Sequence, residues 1–300
     1  MVFAVLVALA LEYFSPRPYP SPVNGPLVRY GDWVLGRLNA GTRKNGWFGW
    51  ALAVLLPALA VGIVGLVLSD IAFLLGWVWA VAVLYICMGY RLLADRCLTV
   101  AKALSAGDLT RARIEVAGCW TGTTGALSET EVASVAIESL LRKALTRLFG
   151  VLCWFVLLGP FGAVLYFLTH QMRGRWAEAE EFVQPLETVV FVLDWLPARA
   201  LAVSFAVVGN FESALVSWKD QAYRWLDRNE GAVLAAGAGA LGIRLGGALT
   251  LPSAELLRPE LGLGDAPGPD FIRGAMHLVV RVILLWLVAL LIYWLGWAAG

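Results

Sequence analysis

Asp194 and Arg199 stand five residues apart in Asp194-Trp195-Leu196-Pro197-Ala198-Arg199, inside a long and otherwise apolar run. Ionisable side chains at membrane depth are costly and are the first place to look for function. Pro197 removes a backbone donor and is expected to kink the helix that carries it. The two charges could pair across that kink, or each could face a polar ligand in a cavity. Glu12 closes the first apolar run, either as a buried carboxylate at the mouth of a site or as the residue that marks the membrane boundary. Glu138 reads as a ligand group or as a solvated helix residue, with Asn210 and Asn229 as neutral polar companions. Gly242-Ile243-Arg244-Leu245-Gly246-Gly247 combines close-approach glycines with one cation able to hold an anion. No strand or Lys-Ser/Thr makes that segment a P-loop. G-x-S-x-G, H-E-x-x-H and S-x-x-K are all missing, so the standard nucleophile and metalloprotease readings fail.

The elements that must position these groups are membrane helices. The chain has 300 residues, 60% hydrophobic and 15% charged, with 14 tryptophans. Soluble domains are about 45–50% apolar and about 25% charged, so an ordinary soluble enzyme and a disordered chain are both excluded. A net charge of +1 offers no basic excess for nucleic acid. Cys87, Cys97, Cys119 and Cys153 are scattered without a CxxC, which reads as small buried hydrophobes rather than a disulfide framework or zinc site. His170 and His277 are far apart, which speaks against a histidine metal centre.

Five stretches reach the roughly 20 apolar residues that a membrane helix needs: 47–68, 71–90, 148–168, 188–209 and 278–299. Ser69-Asp70 is a polar tip suited to a tight helical hairpin. Residues 1–14 read as a short sixth helix, tucked against the bundle or re-entrant, and 232–250 as a packed Ala/Gly helix or a loop beside one. The expected architecture is an all-α polytopic bundle of five to six transmembrane helices, forming a single membrane domain over 1–300. Segments 91–147 and 210–277 are expected to be cytoplasmic and helical. Ser128 with Glu131 reads as a capping box, Gly107-Asp108 as a helix stop, and Gly118–Gly125 as a break. Pro16, Pro18, Pro20, Pro22 and Pro26 predict an extended first loop.

Orientation follows from the basic residues. Segments 15–46, 91–147 and 210–277 hold five, eight and six of them, 19 of the chain's 23. These long segments are expected in the cytoplasm of a bacterial inner-membrane protein, with the C-terminus periplasmic. The expected partners are the lipid bilayer and a small molecule, with an oligomer allowed and no nucleic acid.

Phe149-Gly150-Val151-Leu152-Cys153-Trp154-Phe155-Val156-Leu157-Leu158-Gly159-Pro160 resembles the membrane proteins called AmpE, as does Val192 through Arg199 continuing to Val208-Gly209-Asn210-Phe211-Glu212. Both stretches resemble the larger superfamily that includes CobD/CbiB, the inner-membrane adenosylcobinamide-phosphate synthase. Gly107-Asp108-Leu109, Glu138-Ser139 and Ala238-Gly239-Ala240-Leu241-Gly242 are similar to the synthase pattern. The resemblance covers nearly the whole chain. It places Glu12, Glu138, Asp194, Arg199, Asn229 and Arg244 on retained positions. It also shows departures: Arg142, Lys143 and Thr146 stand where the synthases have a second Glu, an Asn and an Asp. An Asn-Thr-x-Asp motif falls on His170, Gln171 and Arg173, and Pro-His-Pro-Val reads Pro20-Ser21-Pro22-Val23. These departures remove the obvious Mg²⁺ ligands. The resemblance therefore implies first an AmpE-like regulator, tied to β-lactamase induction or cell-wall signalling, without a cofactor. The alternative it implies is a CobD/CbiB-type amide-forming protein of cobalamin biosynthesis, joining a corrinoid to an aminopropanol phosphate, with corrinoid and Mg²⁺ as its ligands.

Overall fold

A computed structural model describes residues 2–16, 24–39, 41–120, 122–250 and 255–299. The chain is a polytopic helical membrane protein. Among the described residues five helices are long and apolar enough to cross a membrane: Arg43–Ile71, Phe73–Ser105, Glu129–Arg175, Glu180–Val208 and Pro269–Gly296. Each overlaps one of the five expected stretches, with ends that differ. The chain divides into two compact units, Met1–Gly89 with Thr146–Pro197, and Tyr90–Leu145 with Ala198–Gly300.

The first unit begins with α1 (Val2–Phe14), α2 (Asn24–Leu38), α3 (Arg43–Trp50), α4 (Leu56–Ile71) and α5 (Phe73–Cys87), a π-helical turn joining α3 to α4. Most of the Pro-rich approach lies outside the described residues. Pro26 does not: it sits in the first turn of α2, where proline lacks only a donor that would have no helical partner. The extended first loop is thus corrected to a helix from Asn24 onward. The hairpin between α4 and α5 turns on Ala72, whose extended backbone separates the helices, while Ser69 and Asp70 remain in the last turn of α4. Trp79 Nε1 donates to the Val61 carbonyl at 3.1 Å and ties the hairpin together. Leu59, Ile63, Leu66, Phe73 and Leu74 stay exposed. Side chains of this kind are solvated by hydrocarbon in a bilayer.

Two later segments complete this unit, α9 (Gly150–Arg175) and α10 (Glu180–Val208) up to Pro197. Gly159 takes a left-handed backbone (φ 65°) just before Pro160, so α9 is two helices meeting at a kink. Proline's ring and missing N–H break the preceding turn, and glycine alone enters that conformation without strain. Gly46 and Gly49 bring α3 against Phe182 of α10, and a Cβ at Gly46 would lie 2.4 Å from the Phe182 carbonyl oxygen. Asp32 takes two 2.7 Å hydrogen bonds from Arg175, which hold its carboxyl below the usual range.

The second unit contains α6 (Arg91–Ser105), α7 (Leu109–Ala117) and α8 (Glu129–Ala144), then the remainder of α10. α11 (Phe211–Gln221), α12 (Arg228–Leu241) and α13 (Pro269–Ala299) follow. Local signals act as expected here. Asp108 caps α7 after Gly107 turns the chain at φ 74°, and Ser128 with Glu131 forms a full capping box on α8. Residues 232–250 split between buried α12 and two short strands, β1 (Leu245–Gly246) and β2 (Leu249–Thr250). These pair antiparallel with β4 (Glu260–Leu261) and β3 (Glu255–Leu256) respectively.

The glycines and alanines of α12 allow its backbone to touch α11, as small residues do between membrane helices. A Cβ on Gly239 would sit 2.3 Å from the Ser213 carbonyl oxygen and 2.8 Å from the Ala214 Cα. Backbone cannot swing aside as a side chain can. Gly239→Ala should therefore cost about 3 kcal/mol, the upper end for overpacking. The check is denaturant unfolding in detergent, where a cost below about 1 kcal/mol would show that α11 and α12 slide apart freely.

Candidate functional site

Among the described residues, each unit carries a buried group of polar side chains that hold one another. In the second, the spacing of α8 sets three residues on one helix face: Ser134, Glu138 and Arg142, four apart in turn. Ser134 Oγ donates to Glu138 Oε1 at 3.1 Å, and Arg142 Nη2 lies 3.5 Å from Oε2. Glu138 is fully buried. The reading of it as a solvated helix residue is therefore replaced by a buried, saturated carboxylate.

Its other partners come from the segment after α12. The Gly246 N–H donates to Oε1 at 3.0 Å, and Arg258 Nη1 donates to Oε2 at 2.6 Å. Arg258 also donates to the carbonyls of Gly246 and Gly247 at 3.1 and 3.2 Å, and its guanidinium lies over the Trp225 ring. Gly246 has φ 76°, and a Cβ there would meet the Pro259 carbonyl oxygen at 2.0 Å. Only glycine lets the loop fold onto Glu138 in this way. One carboxylate thus organises the whole turn around Gly246-Gly247.

The network continues along α12. Arg142 Nη1 lies 3.6 Å from Glu230 Oε2. Asp227 caps α12, accepting from the backbone N–H groups of Asn229 and Glu230 at 2.8 and 3.2 Å. The cap leaves the buried Asn229 side chain to accept from Arg199 Nη1. Three guanidiniums, three carboxylates and one amide are therefore gathered with their charges balanced. Arg142 is partly exposed, whereas Arg258 is nearly covered, its side chain 27% and 11% accessible respectively. The arrangement suits recognition of an anionic or amide-bearing ligand by a cation that fixed carboxylates hold in place. It does not fit Mg²⁺: the oxygens of Glu138 face two guanidiniums, a hydroxyl and an amide N–H. Among the described residues no three His, Cys, Asp or Glu side chains gather as metal ligands.

The first unit's centre is Asp194, buried on α10. Tyr166 Oη donates to its Oδ1 at 2.5 Å, and His170 Nε2 lies 3.0 Å from the same oxygen. Tyr166 and His170 are one turn apart on α9, with ring centroids 4.6 Å apart. The backbone at Gly150 leaves room for the Tyr166 ring, where a Cβ would come within 2.2 Å of Cζ. Beside this group Arg147 Nη2 donates to Gln171 Oε1 at 3.1 Å and its guanidinium lies over Phe167.

The structure thus brings Glu138, Arg199 and Asn229 into the second unit's network and gives Asp194 its own partners in the first. Glu12 is buried near the end of α1. Asn210 is exposed and serves as the N-cap of α11, accepting from the Ser213 N–H at 3.0 Å. Arg244 is also exposed, its backbone N–H donating to the Asp265 carbonyl at 2.9 Å. Sequence reasoning passed over Arg258, Glu230, Trp225, Tyr166 and His170 as site members. The spacing of Tyr166 and His170 in an apolar helix was a usable signal, since two polar tips on one face need a buried partner.

The family described as CobD/Cbib protein matches residues 1–279. A cobalamin biosynthesis protein CobD of Stutzerimonas stutzeri is 37% identical over 295 residues, covering 97% of this chain and 96% of the relative. Another from Chromobacterium violaceum is 38% identical over 210 residues, 69% and 67% of the two chains. A third, from Listeria monocytogenes serotype 4b, is 27% identical over 276 residues, 84% of each. No solved structure matches the chain. The expectation of an AmpE-like regulator of β-lactamase is overturned: the curated relatives are named CobD and none is called AmpE. The stretches that suggested AmpE are helix-packing sequence around Gly150, Gly159 and Asp194, and packing of that kind reports fold rather than task.

Proposed function

We infer that this chain, which belongs to the CobD/CbiB family, acts in cobalamin biosynthesis as a membrane protein of the adenosylcobinamide-phosphate synthase type. The reaction is amide formation between a corrinoid carboxyl and the amine of an aminopropanol phosphate. The observation that carries this reading is the similarity to a CobD protein over nearly the whole of both chains. Glu138, Arg142, Glu230, Asn229 and Arg199 form the ligand-binding group. A phosphate or a propionamide-fringed corrinoid offers the anionic and amide groups that this set recognises. In this role Glu138 and Arg258 fix the Gly246-Gly247 turn, and Arg142 meets the ligand.

Deletion of the gene tests the reading in a strain that must make its own cobalamin. The expected result is auxotrophy relieved by a corrinoid that already carries the amide-linked aminopropanol and not by one with the free carboxyl. Growth without either supplement, or an altered β-lactam response with normal cobalamin, would sink it.

The protein lies in the bacterial inner membrane with its long basic segments in the cytoplasm, a placement supported by 19 of 23 basic residues falling on one side of the expected spans. A periplasm-active phosphatase fused after Gly300 should be active, and one fused within 118–125 inactive. The reverse pattern overturns the orientation.

A further inference from the structure

Four free cysteines are present, and two of them face each other. Cys97 Sγ on α6 donates to Cys119 Sγ at 3.7 Å, across 22 residues of sequence and within one compact unit. Cys97 is fully buried, its sulfur also reaching the Ala136 carbonyl at 3.8 Å. Cys119 is half-buried and lies just beyond α7, in the Gly118–Gly125 segment that precedes α8. A disulfide needs the sulfurs at about 2.0 Å, a closure of about 1.7 Å that side-chain rotation and a glycine-flanked loop can supply. Arg96 Nη1 donates to the Gly118 carbonyl at 3.3 Å and brings a positive charge to the half-exposed thiol, with Glu115 one turn earlier opposing it.

We propose that Cys97 and Cys119 are a thiol pair that a low-molecular-weight disulfide oxidises to an intramolecular disulfide, with Cys119 as attacking thiol and Cys97 as resolving thiol. The Cys119 thiol lies below its ordinary value because Cys97 donates a hydrogen bond to its sulfur, and Arg96 adds to this against burial and Glu115. Attack by the Cys119 thiolate breaks the incoming S–S bond and forms a mixed disulfide. The released thiolate takes up a proton. Cys97 then loses its proton, attacks Cys119 Sγ and expels the second small thiol. Two electrons pass from the protein thiols to the small disulfide, and the balance is one protein disulfide for two small thiols.

The new bond would pin the segment before α8 to α6 and take Cys97 from the Ala136 carbonyl, two residues before Glu138. Oxidation would therefore be felt on the helix that carries the candidate site. The pairing does not depend on the cobalamin reading, since it rests on the two sulfurs alone.

The test uses the full chain in detergent with oxidised glutathione as probe, followed by alkylation with N-ethylmaleimide and mass mapping. The expected product is a Cys97–Cys119 disulfide, reversed by dithiothreitol, with Cys87 and Cys153 still alkylated. Cys97→Ala should instead hold glutathione on Cys119 as a mixed disulfide that does not resolve, formed more slowly than wild-type closure because the hydrogen bond favouring its thiolate is lost. Cys119→Ser, close to isosteric, should show neither product. Alkylation of both Cys97 and Cys119 in the wild-type chain after oxidation, or glutathione retained on wild-type Cys119 without closure, overturns the proposal.

Discussion

Glu138→Ala should destabilise the protein by about 3–5 kcal/mol, the range for breaking one side of a buried ion pair. The carboxylate is fully buried, and its removal strands the Arg258 guanidinium and the Gly246 N–H. The lost contacts themselves matter less than the desolvated donors left behind. For a chain of this size the melting temperature in detergent should fall by on the order of 10 °C. Glu138→Gln should cost less, because an amide oxygen still accepts from Gly246 and Ser134 while its NH₂ opposes Arg258. The ordering of the two variants separates charge from shape. If both melt within about 1 kcal/mol of the parent, Glu138 does not organise the turn and the assignment of the site to this network fails.

That prediction rests on a partner no sequence pattern indicated. Glu138 and Arg258 are 120 residues apart, and Arg258 sits in a short irregular segment before Pro259, with no helical or strand period to announce it. What could be read in advance was local. Hydropathy located the five spans because a membrane helix must be apolar over its whole length, whatever it packs against. The stop at Gly107-Asp108 and the capping box at Ser128 were legible because three or four neighbouring residues decide them. Helix α2 was hidden by proline: a cluster of prolines speaks against helix in general, but Pro26 falls in the one turn that tolerates it. The Arg at position 142 was legible only as a lost carboxylate. Its structural meaning, a bridge from Glu138 toward Glu230, needed the fold that brings α12 alongside α8.

The same distinction separates the two charges that first drew notice. Asp194 and Arg199 lie on one helix, and their pairing across Pro197 was one of two open readings. Asp194 instead accepts from Tyr166 and lies 3.0 Å from His170 Nε2, and Arg199 donates to Asn229. Asp194 is buried and Arg199 part-buried, and the partners of both came from elsewhere in the chain.

Asp194→Ala should therefore have the second large effect, about 3 kcal/mol, from leaving the buried Tyr166 hydroxyl and the part-buried His170 ring without their shared carboxylate, at about 1–3 kcal/mol each. Hydrogen bonds between membrane helices average only about 0.6 kcal/mol in double-mutant cycles, so the cost must come mainly from the stranded donors and not from the bonds. A cycle with Tyr166→Phe decides this. Removing the hydroxyl beforehand leaves one fewer donor to strand, so the Asp194→Ala cost in that background should fall by about 1 kcal/mol or more. Unfolding in detergent, read for the four proteins side by side, measures the coupling. Strict additivity would mean that Tyr166 Oη finds another acceptor, and that Asp194 holds α10 to α9 through His170 alone.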